Sequence, residues 1–204
     1  MPPRLDSPWK ASEIAQAVAK HAPKRLQGSW RAAVAAILRE GKEVELLFIR
    51  RAERPGDPWS GHMALPGGRA EQDQETAIAI AQRETLEELG FDLVSWAEFL
   101  GVLDDVPAYA QGEPTGLVVT PTVWLLKGAP RLNVPNNEVA EVLWASLNDL
   151  WLGNCSTEVE YEWRGRTLHL PAYSVSGHPV WGLTYCIVSS LFECLERGSG
   201  RQGA

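Results

Sequence analysis

The sequence predicts a mixed α/β sandwich formed by a single domain. Segments with strand character lie on both sides of a helical segment in the middle of the chain, and a second helical segment closes it. With 204 residues, 45% of them hydrophobic, the chain can bury one sizeable core. No linker, internal repeat or low-complexity tract divides the sequence, so all layers are expected to share that core.

The first part of the chain is predicted to contain a helix, two strands and a loop. Residues 12–21 are alanine-rich at helical spacing, and Ser12 is a favourable N-cap. Residues 31–38 and 43–49 have strand composition on either side of a short turn. Residues 53–68 are rich in proline and glycine and are therefore predicted to be mostly loop.

The second part begins with the central helix, predicted over residues 74–89. Gly90 follows it in the position where a left-handed residue usually ends a helix. Further strands are predicted at residues 99–103, 116–126, 138–145 and 166–170, and a last helix with an apolar face at 184–197. The expected organisation is an N-terminal helical segment (1–29), the main domain (30–197) and a flexible tail (198–204).

Charge and cysteine content restrict the class of protein. A formal net charge of -7 argues against a non-specific nucleic-acid binder, so no nucleic-acid partner is expected. Cys155, Cys186 and Cys194 include no CxxC pair, which favours reduced thiols over a disulfide framework or zinc site. Residues 1–10 lack the apolar core of a signal peptide, and no stretch approaches the ~20 apolar residues of a bilayer span. We therefore expect a soluble, cytoplasmic protein without a membrane partner.

Three glutamates crowd one side of the predicted central helix. Glu84, Glu87 and Glu88 fall within an arc of roughly 100° and repel one another by a few tenths of a kcal/mol per pair. Such a group is usually just a solvated face. Here an apolar stripe beside it anchors the helix, and the neighbouring Gly67-Gly68 turn and Arg83 favour a functional site. Hard carboxylate oxygens suit Mg²⁺ or Mn²⁺, which would relieve the repulsion.

The segment containing these residues resembles the Nudix box, G-x5-E-x7-R-E-U-x-E-E-x-G-U with U apolar. Its fixed positions are taken by Gly68, Glu75, Arg83, Glu84, Leu86, Glu87, Glu88, Gly90 and Phe91. Six residues rather than five separate Gly68 from Glu75, which leaves open whether Glu75, Glu71 or Asp73 supplies the loop acid. The resemblance implies a Nudix-type α/β/α sandwich with a mixed β-sheet and a loop–helix–loop active site.

The same resemblance implies roles for individual residues. Glu84, Glu87 and Glu88 would bind Mg²⁺ or Mn²⁺ with help from a backbone carbonyl at Gly68, and Arg83 would orient a glutamate. The catalytic base differs among family members and is either a box glutamate or an acid from a later loop. The candidates for that later acid are Glu138 and Glu141, followed by Asp104 and Asp105.

Segments outside the box resemble the coenzyme A pyrophosphatase branch of the family. They are residues 45–51 (ELLFIRR), 58–68 (PWSGHMALPGG), 137–144, 170–173 and 180–184. This likeness implies hydrolysis of coenzyme A or acyl-coenzyme A to 3',5'-ADP and (acyl-)4'-phosphopantetheine. His62 and Leu65 stand where that branch usually has Gln and Phe, so ADP-ribose, dinucleotides or nucleoside triphosphates remain alternatives. A non-catalytic nucleotide-binding domain is a second alternative.

A substrate of this kind needs cations and a stacking surface near the box. The candidate phosphate contacts are Arg50, Arg51, Arg54 and Arg69. Trp59 is a candidate for stacking and His62 for a further substrate contact, while most of the nine tryptophans are expected in the core. The expected partner is a small nucleotide, and the apolar last helix is compatible with either a homodimer or a completed monomer core.

Overall fold

The structure is a computed structural model that describes residues 8–56, 59–72, 74–110, 112–132 and 137–201. Its helices are α1 (Ala11–Lys20), α2 (Ala77–Leu89), α3 (Leu93–Trp96), α4 (Leu147–Trp151) and α5 (Gly182–Ser199). Its first strands are β1 (Trp30–Glu40), β2 (Val44–Arg51), β3 (Met63–Ala64), β4 (Gly67–Arg69), β5 (Ala97–Val102) and β6 (Val106–Ala110). The remaining strands are β7 (Glu113–Leu126), β8 (Val139–Ser146), β9 (Ser156–Trp163), β10 (Arg166–Val175) and β11 (His178–Trp181).

The main sheet is mixed, as the family resemblance implies. Its strand order is β3-β2-β1-β7-β5, with β8 paired to β2, β4 to β1 and β6 to β7. Strands β1 and β7 run parallel, and the other pairs are antiparallel. A separate antiparallel sheet has the order β11-β10-β9. Most of this second sheet is missing from the sequence prediction, which places a strand only at residues 166–170.

Alternating burial along β1 explains why helices cover both faces of the main sheet. Ala35 and Ile37 belong to one apolar cluster, which also contains Ala81 and Leu89 of α2. Ala36 and Leu38, which alternate with them along the strand, belong to the other cluster, to which α1 and α5 contribute. Because successive side chains of a strand point to opposite faces, each cluster forms one layer of an α/β/α sandwich. The predicted fold class is confirmed.

Several predicted boundaries are wrong by a few residues. Ser12 lies inside α1 and not at its N-cap, which is Lys10, whose backbone N–H donates to Glu13 Oε2 at 3.1 Å. Helix α2 begins three residues later than predicted, because the Thr76 hydroxyl accepts a hydrogen bond from the Ala79 N–H and caps it there. Gly90 ends α2 with φ +73°, as predicted.

The predicted start of the C-terminal tail, residue 198, is too early. Helix α5 continues through Ser199 and ends at Gly200, which has φ +72°. Beyond it, Arg201 Nη2 donates to both carboxylate oxygens of Glu13 at 2.9 and 3.0 Å, and its guanidinium lies 4.4 Å from the Trp9 ring centroid. The C-terminal end of α5 is therefore tied to α1, and residues 202–204 lie outside the described residues.

The expectation that most tryptophans belong to the core is also wrong. Trp9, Trp124 and Trp151 are buried, whereas Trp30, Trp59 and Trp96 are exposed by 64%, 51% and 42%. The other three are partly buried. The three cysteines are free thiols, as expected. Among the described helices, none has the length and apolar content that a bilayer crossing needs.

Candidate active site

The glycine pair 67–68 brings the loop before α2 against the centre of the main sheet. Gly67 pairs with Val34 and Gly68 with Ala33 across the short strand β4, and the Ala35 N–H donates to the Pro66 carbonyl at 2.7 Å. A Cβ on Gly67 would collide with the Ala33 carbonyl and the Val34 backbone, so only glycine allows this approach. In this position the glycine pair also contacts the Glu84 and Glu88 side chains of α2.

Glu88 is the most deeply buried of these glutamates. The residue is 3% exposed, and its Oε2 accepts a hydrogen bond of 3.0 Å from the Gly67 N–H. Burial raises the pKa of Glu88 to about 8, and the nearby carboxylate of Glu84 acts in the same direction. The Gly67 N–H and the positive charge of Arg51 oppose the shift. A bound cation would stabilise the ionised form of this carboxyl group.

Glu84 lies one turn before Glu88 and faces the second glycine of the pair. A Cβ on Gly68 would overlap the Glu84 carboxylate, so the absence of a side chain at Gly68 makes room for it. Burial raises the pKa of Glu84, although Arg83 counteracts the shift. Two desolvated carboxylates therefore adjoin the glycine turn.

Arg83 joins the loop acid to the helix. Its Nε donates to Glu75 Oε1 at 3.1 Å, its Nη1 to Glu84 Oε1 at 2.9 Å and its Nη2 to the Arg69 carbonyl at 2.9 Å. Burial opposes the charged guanidinium, but the hydrogen bonds to Glu75 and Glu84 outweigh it, so the pKa of Arg83 is raised. One planar guanidinium thus orients three acceptors, which a lysine ammonium would not match.

Of the two candidate loop acids that the structure describes, Glu75 has the shorter contact with Arg83. The hydrogen bond from Arg83 holds the pKa of Glu75 below its usual value, and Glu75 Oε2 also accepts from the Glu71 N–H at 2.9 Å. Glu71 itself lies 3.6 Å from Arg83 Nη1 and is largely exposed. Asp73 lies outside the described residues. The inserted residue is thus accommodated ahead of Glu75, whose contact with Arg83 is maintained.

Glu87 completes the predicted trio but differs from its neighbours in exposure. Its side chain is 51% exposed, and its Oε2 lies 3.6 Å from Arg83 Nη1. Within the described ranges, no three acidic, histidine or cysteine side chains already converge closely enough to hold an ion. The chemistry nevertheless fits Mg²⁺ or Mn²⁺, because Glu84 and Glu88 are desolvated oxygen donors whose charges repel each other. Side-chain rotation would be needed to bring Glu87 to the same ion.

Glu138 and Glu141, the candidate acids that follow the box, each form an ion pair with an arginine. Glu138 Oε1 lies 3.1 Å from Arg54 Nη1, and the Glu138 charge contributes to raising the pKa of both Glu84 and Glu88. The Glu138 charge is therefore close enough to the box glutamates to act on both of them. Glu141 instead accepts from Nε of Arg50 at 3.0 Å and from its Nη2 at 2.5 Å, and lies 3.9 Å from His178 Nε2.

Asp104 and Asp105 are structural, so their place among the candidate bases is corrected. Asp105 has a fully buried side chain that accepts from Arg25 at 2.6 Å, Arg31 at 3.1 Å, the Thr120 hydroxyl at 2.7 Å and the Leu26 N–H at 2.9 Å. Asp104 accepts from His21 Nε2 at 2.8 Å and from the Lys24 N–H at 2.9 Å. Both carboxylates hold the segment between α1 and β1 against the sheet, and these bonds keep their pKa values low despite burial.

The residues predicted to contact the substrate have different surroundings in the structure. Arg51 is the cation whose charge acts on Glu88, and its N–H donates to the His62 carbonyl at 3.0 Å. Arg54 is held by Glu138, and its N–H also donates to Ser60 Oγ at 2.8 Å. Arg69 is exposed at the end of β4, and Trp59 is exposed in the preceding loop.

An aromatic group that was not predicted from the sequence lies beside this loop. The His62 ring centroid lies 5.2 Å from that of Trp181, which in turn lies 5.7 Å from that of Tyr161. Trp181 precedes α5, and Thr184 Oγ1 in the first turn donates to the Met63 carbonyl at 3.1 Å. The only signal in the sequence was the alternation of apolar residues in the segment from Val159 to Trp163, which is diluted by the intervening glutamates.

Comparison with known proteins identifies one family model that matches the chain. The model of the NUDIX domain matches residues 29–165. A protein named mitochondrial coenzyme A diphosphatase NUDT8, from Mus musculus, is 31% identical over 154 residues, which cover 75% of this chain and 71% of that protein. An uncharacterized protein of Schizosaccharomyces pombe is 40% identical over 119 residues, but these cover 57% of this chain and only 36% of that protein's length.

A solved structure resembles the fold over nearly its whole extent. The NUDIX domain of Shewanella oneidensis NrtR, crystallised with ADP ribose, superposes with a TM-score of 0.53 at 15% sequence identity. The alignment covers 92% of this chain and 99% of that domain. At this identity the likeness establishes a common fold and no more.

Proposed function

This chain belongs to the NUDIX domain family and is a Nudix hydrolase; on that premise we propose that it cuts the phosphoanhydride bond of coenzyme A or acyl-coenzyme A. The products would be 3',5'-ADP and (acyl-)4'-phosphopantetheine. The observation that carries the proposed chemistry is the pair Glu84 and Glu88, desolvated beside the Gly67-Gly68 turn. The substrate is proposed from the mouse relative's name and from the likeness of segments outside the box.

Glu84, Glu87 and Glu88 would hold Mg²⁺ or Mn²⁺, with a carbonyl oxygen contributed by Gly68. When bound, the metal would neutralise diphosphate charge and lower the pKa of a coordinated water. Arg83 keeps the Glu84 carboxylate in place by a hydrogen bond of 2.9 Å while Glu75 and the Arg69 carbonyl hold Arg83. Arg51, Arg54 and Arg69 would supply cations for the substrate phosphates.

Glu138 is the proposed general base. It is preferred over Glu141 because its charge acts on Glu84 and Glu88, whereas Glu141 is bound by Arg50. In this proposal the Glu138 carboxylate takes a proton from the water that attacks phosphorus. Its ion pair with Arg54 must open or rearrange first, and a substrate phosphate that attracts Arg54 would favour this change.

A second substrate class is ADP-ribose, because the Shewanella domain of the same fold was crystallised with that ligand. Dinucleotides and nucleoside triphosphates belong to the same alternative. A domain that only binds a nucleotide is disfavoured by the retention of Glu84, Glu87 and Glu88 together with their contacts to Arg83 and the glycine turn.

The test is a substrate panel with product identification. Purified protein with Mg²⁺ or Mn²⁺ is incubated with coenzyme A, acetyl-coenzyme A, ADP-ribose, diadenosine polyphosphates and nucleoside triphosphates, and the products are separated by chromatography. The proposal expects 3',5'-ADP from the coenzyme A compounds at the highest kcat/KM. Faster cleavage of another substrate would replace the proposed substrate, and no cleavage of any would favour the binding domain.

A further inference from the structure

One face of the second sheet carries an apolar strip that starts beside His62 in the loop before α2. Strand pairing places Trp181 beside Ala172, Leu170 beside Val159, and Leu168 beside Tyr161. Since alternate residues of paired strands share a face, all six side chains lie on the same side of the sheet. We call the five larger ones, Trp181, Leu170, Val159, Leu168 and Tyr161, the hairpin strip.

The two faces of this hairpin differ sharply in charge. Glu158, Glu160 and Glu162 alternate with the strip residues of β9 and therefore point to the opposite face, where His169 and Thr167 accompany them. The strip itself carries no charged side chain until Arg166 at its outer end, opposite Trp163. A surface so free of charge next to a diphosphate site is suited to an uncharged part of a substrate.

The hairpin strip adjoins the loop before α2. Its inner end is Trp181, whose ring contacts His62, and Met63, the next residue, accepts the Thr184 hydrogen bond that fixes the start of α5. His62 is five residues before Gly67, and its carbonyl accepts from the N–H of Arg51, whose charge acts on Glu88. Trp181 is only partly buried, and Leu168 at the outer end is 36% exposed.

The extent of the strip favours a chain over a ring. From the pair Ala172–Trp181 to the pair Leu168–Tyr161 the sheet advances four residues, about 13 Å at a strand rise of roughly 3.3 Å. A single nucleobase needs one aromatic face, and a base that carries phosphates would be attracted to Arg51, Arg54 and Arg69 near the carboxylates. A flexible apolar chain would instead contact the strip along its length.

We propose that the hairpin strip binds the acyl chain of an acyl-thioester substrate, so that the enzyme prefers acylated over free coenzyme A. This inference rests on the proposed function for the identity of the diphosphate substrate. It adds to that function the residues that would determine specificity for the acyl group. Leu168 and Tyr161 would contact the distal part of the acyl chain, and Trp181 would contact the part nearest the diphosphate.

The experiment compares octanoyl-coenzyme A with coenzyme A in wild type, in Leu168→Gln and in His169→Gln. Leu168→Gln makes the strip polar with little change in volume, and His169→Gln is a matched control one residue away on the opposite, exposed face. Binding is measured by titration calorimetry in EDTA, and kcat/KM is measured separately with Mg²⁺. The expected preference for the octanoyl compound is about tenfold in wild type and in His169→Gln, and about twofold or less in Leu168→Gln.

The two measurements distinguish failure of the subsite from failure of the proposed function. Equal binding of both compounds by wild type, or a full preference retained by Leu168→Gln, overturns the hairpin strip as an acyl site even if both compounds are cut. Chain-dependent binding that Leu168→Gln abolishes supports the strip, and if neither compound is then cut, the proposed hydrolysis is overturned while the binding site stands.

Discussion

The backbone N–H of Gly67 donates a hydrogen bond of 3.0 Å to Oε2 of Glu88, across 21 residues of sequence. The bond exists because Gly67 has no Cβ and can lie against Ala33 and Val34 in β1. It joins the loop before α2 to the most buried carboxylate of that helix.

Glu88→Gln should lower kcat by roughly a hundredfold or more while the fold is retained, because the neutral amide is a much poorer cation ligand. Activity with Mg²⁺ and Mn²⁺ is measured together with circular dichroism. Glu193→Gln, an exposed position on α5, serves as the control for an unspecific loss of negative charge. Retained activity in Glu88→Gln would contradict its assignment as a metal ligand.

The metal-free protein should become less stable as pH rises from about 5 to 9. The pKa of Glu88 is raised from 4.5 to about 8, so the folded state holds this proton more tightly than the unfolded state. Its contribution to the free energy of unfolding is complete below pH 4.5 and is lost as pH rises through about 8.

Thermal melting in EDTA across this pH range checks the prediction. The decline should be shallower in Glu88→Gln, which has no proton to lose. Added Mg²⁺ should raise the melting temperature of the wild type most at the alkaline end, because it binds the ionised form of the folded protein. An identical pH dependence in wild type and variant would show that Glu88 does not control it.

Gly68→Ala should displace the Glu84 carboxylate, since the new Cβ would overlap it. We expect the Mn²⁺ concentration for half-maximal activity to rise by about tenfold or more. Gly41→Ala is the matched control, because a Cβ there would meet its nearest neighbour, the Glu43 carbonyl, at an ordinary 3.6 Å. Equal metal requirements in the two variants would argue against Glu84 as a ligand.

Arg83→Lys should reduce kcat by about tenfold to a hundredfold although it preserves the charge. A single ammonium lacks the planar fork that reaches Glu75, Glu84 and the Arg69 carbonyl together. The steady-state kinetics are compared with those of Arg131→Lys, an exposed arginine outside this network. Comparable, small effects in both variants would indicate that charge alone matters at position 83.

Asp105→Ala should destabilise the protein by about 3 kcal/mol without changing kcat per folded molecule. The substitution removes the acceptor of Arg25, Arg31 and Thr120 and leaves their donors around a buried cavity. Denaturant unfolding gives the stability, with the exposed Glu98→Ala as control. A large loss of kcat in a folded Asp105→Ala protein would return Asp105 to the candidate catalytic residues.

Much of the fold follows from local patterns in the sequence. The apolar stripe of α2 and its Gly90 end, the long apolar strands β1, β2 and β7, and the last helix were all predicted, because their burial follows the helix or strand period. The short strands β3 and β4 were predicted to be loop. Their extended conformation comes from pairing with β2 and β1, and the amino-acid composition of these segments does not indicate it. The hairpin of β9 was missed because its exposed glutamates mask its apolar face.

The sequence by itself determined the family resemblance, the helix with its three glutamates and the requirement for glycine beside them, because these depend on residues close together in the chain. Only the tertiary structure decided which acids have a structural or a proposed catalytic role. Glu138 is paired with Arg54, but its charge also acts on Glu84 and Glu88, whereas Glu141, Asp104 and Asp105 are bound by arginine or histidine side chains and show no such effect. It also decided that Glu88, and not the equally acidic Glu87, is buried. The physical reason is that desolvation and ion pairing depend on neighbours brought together by folding, which sequence spacing alone does not specify.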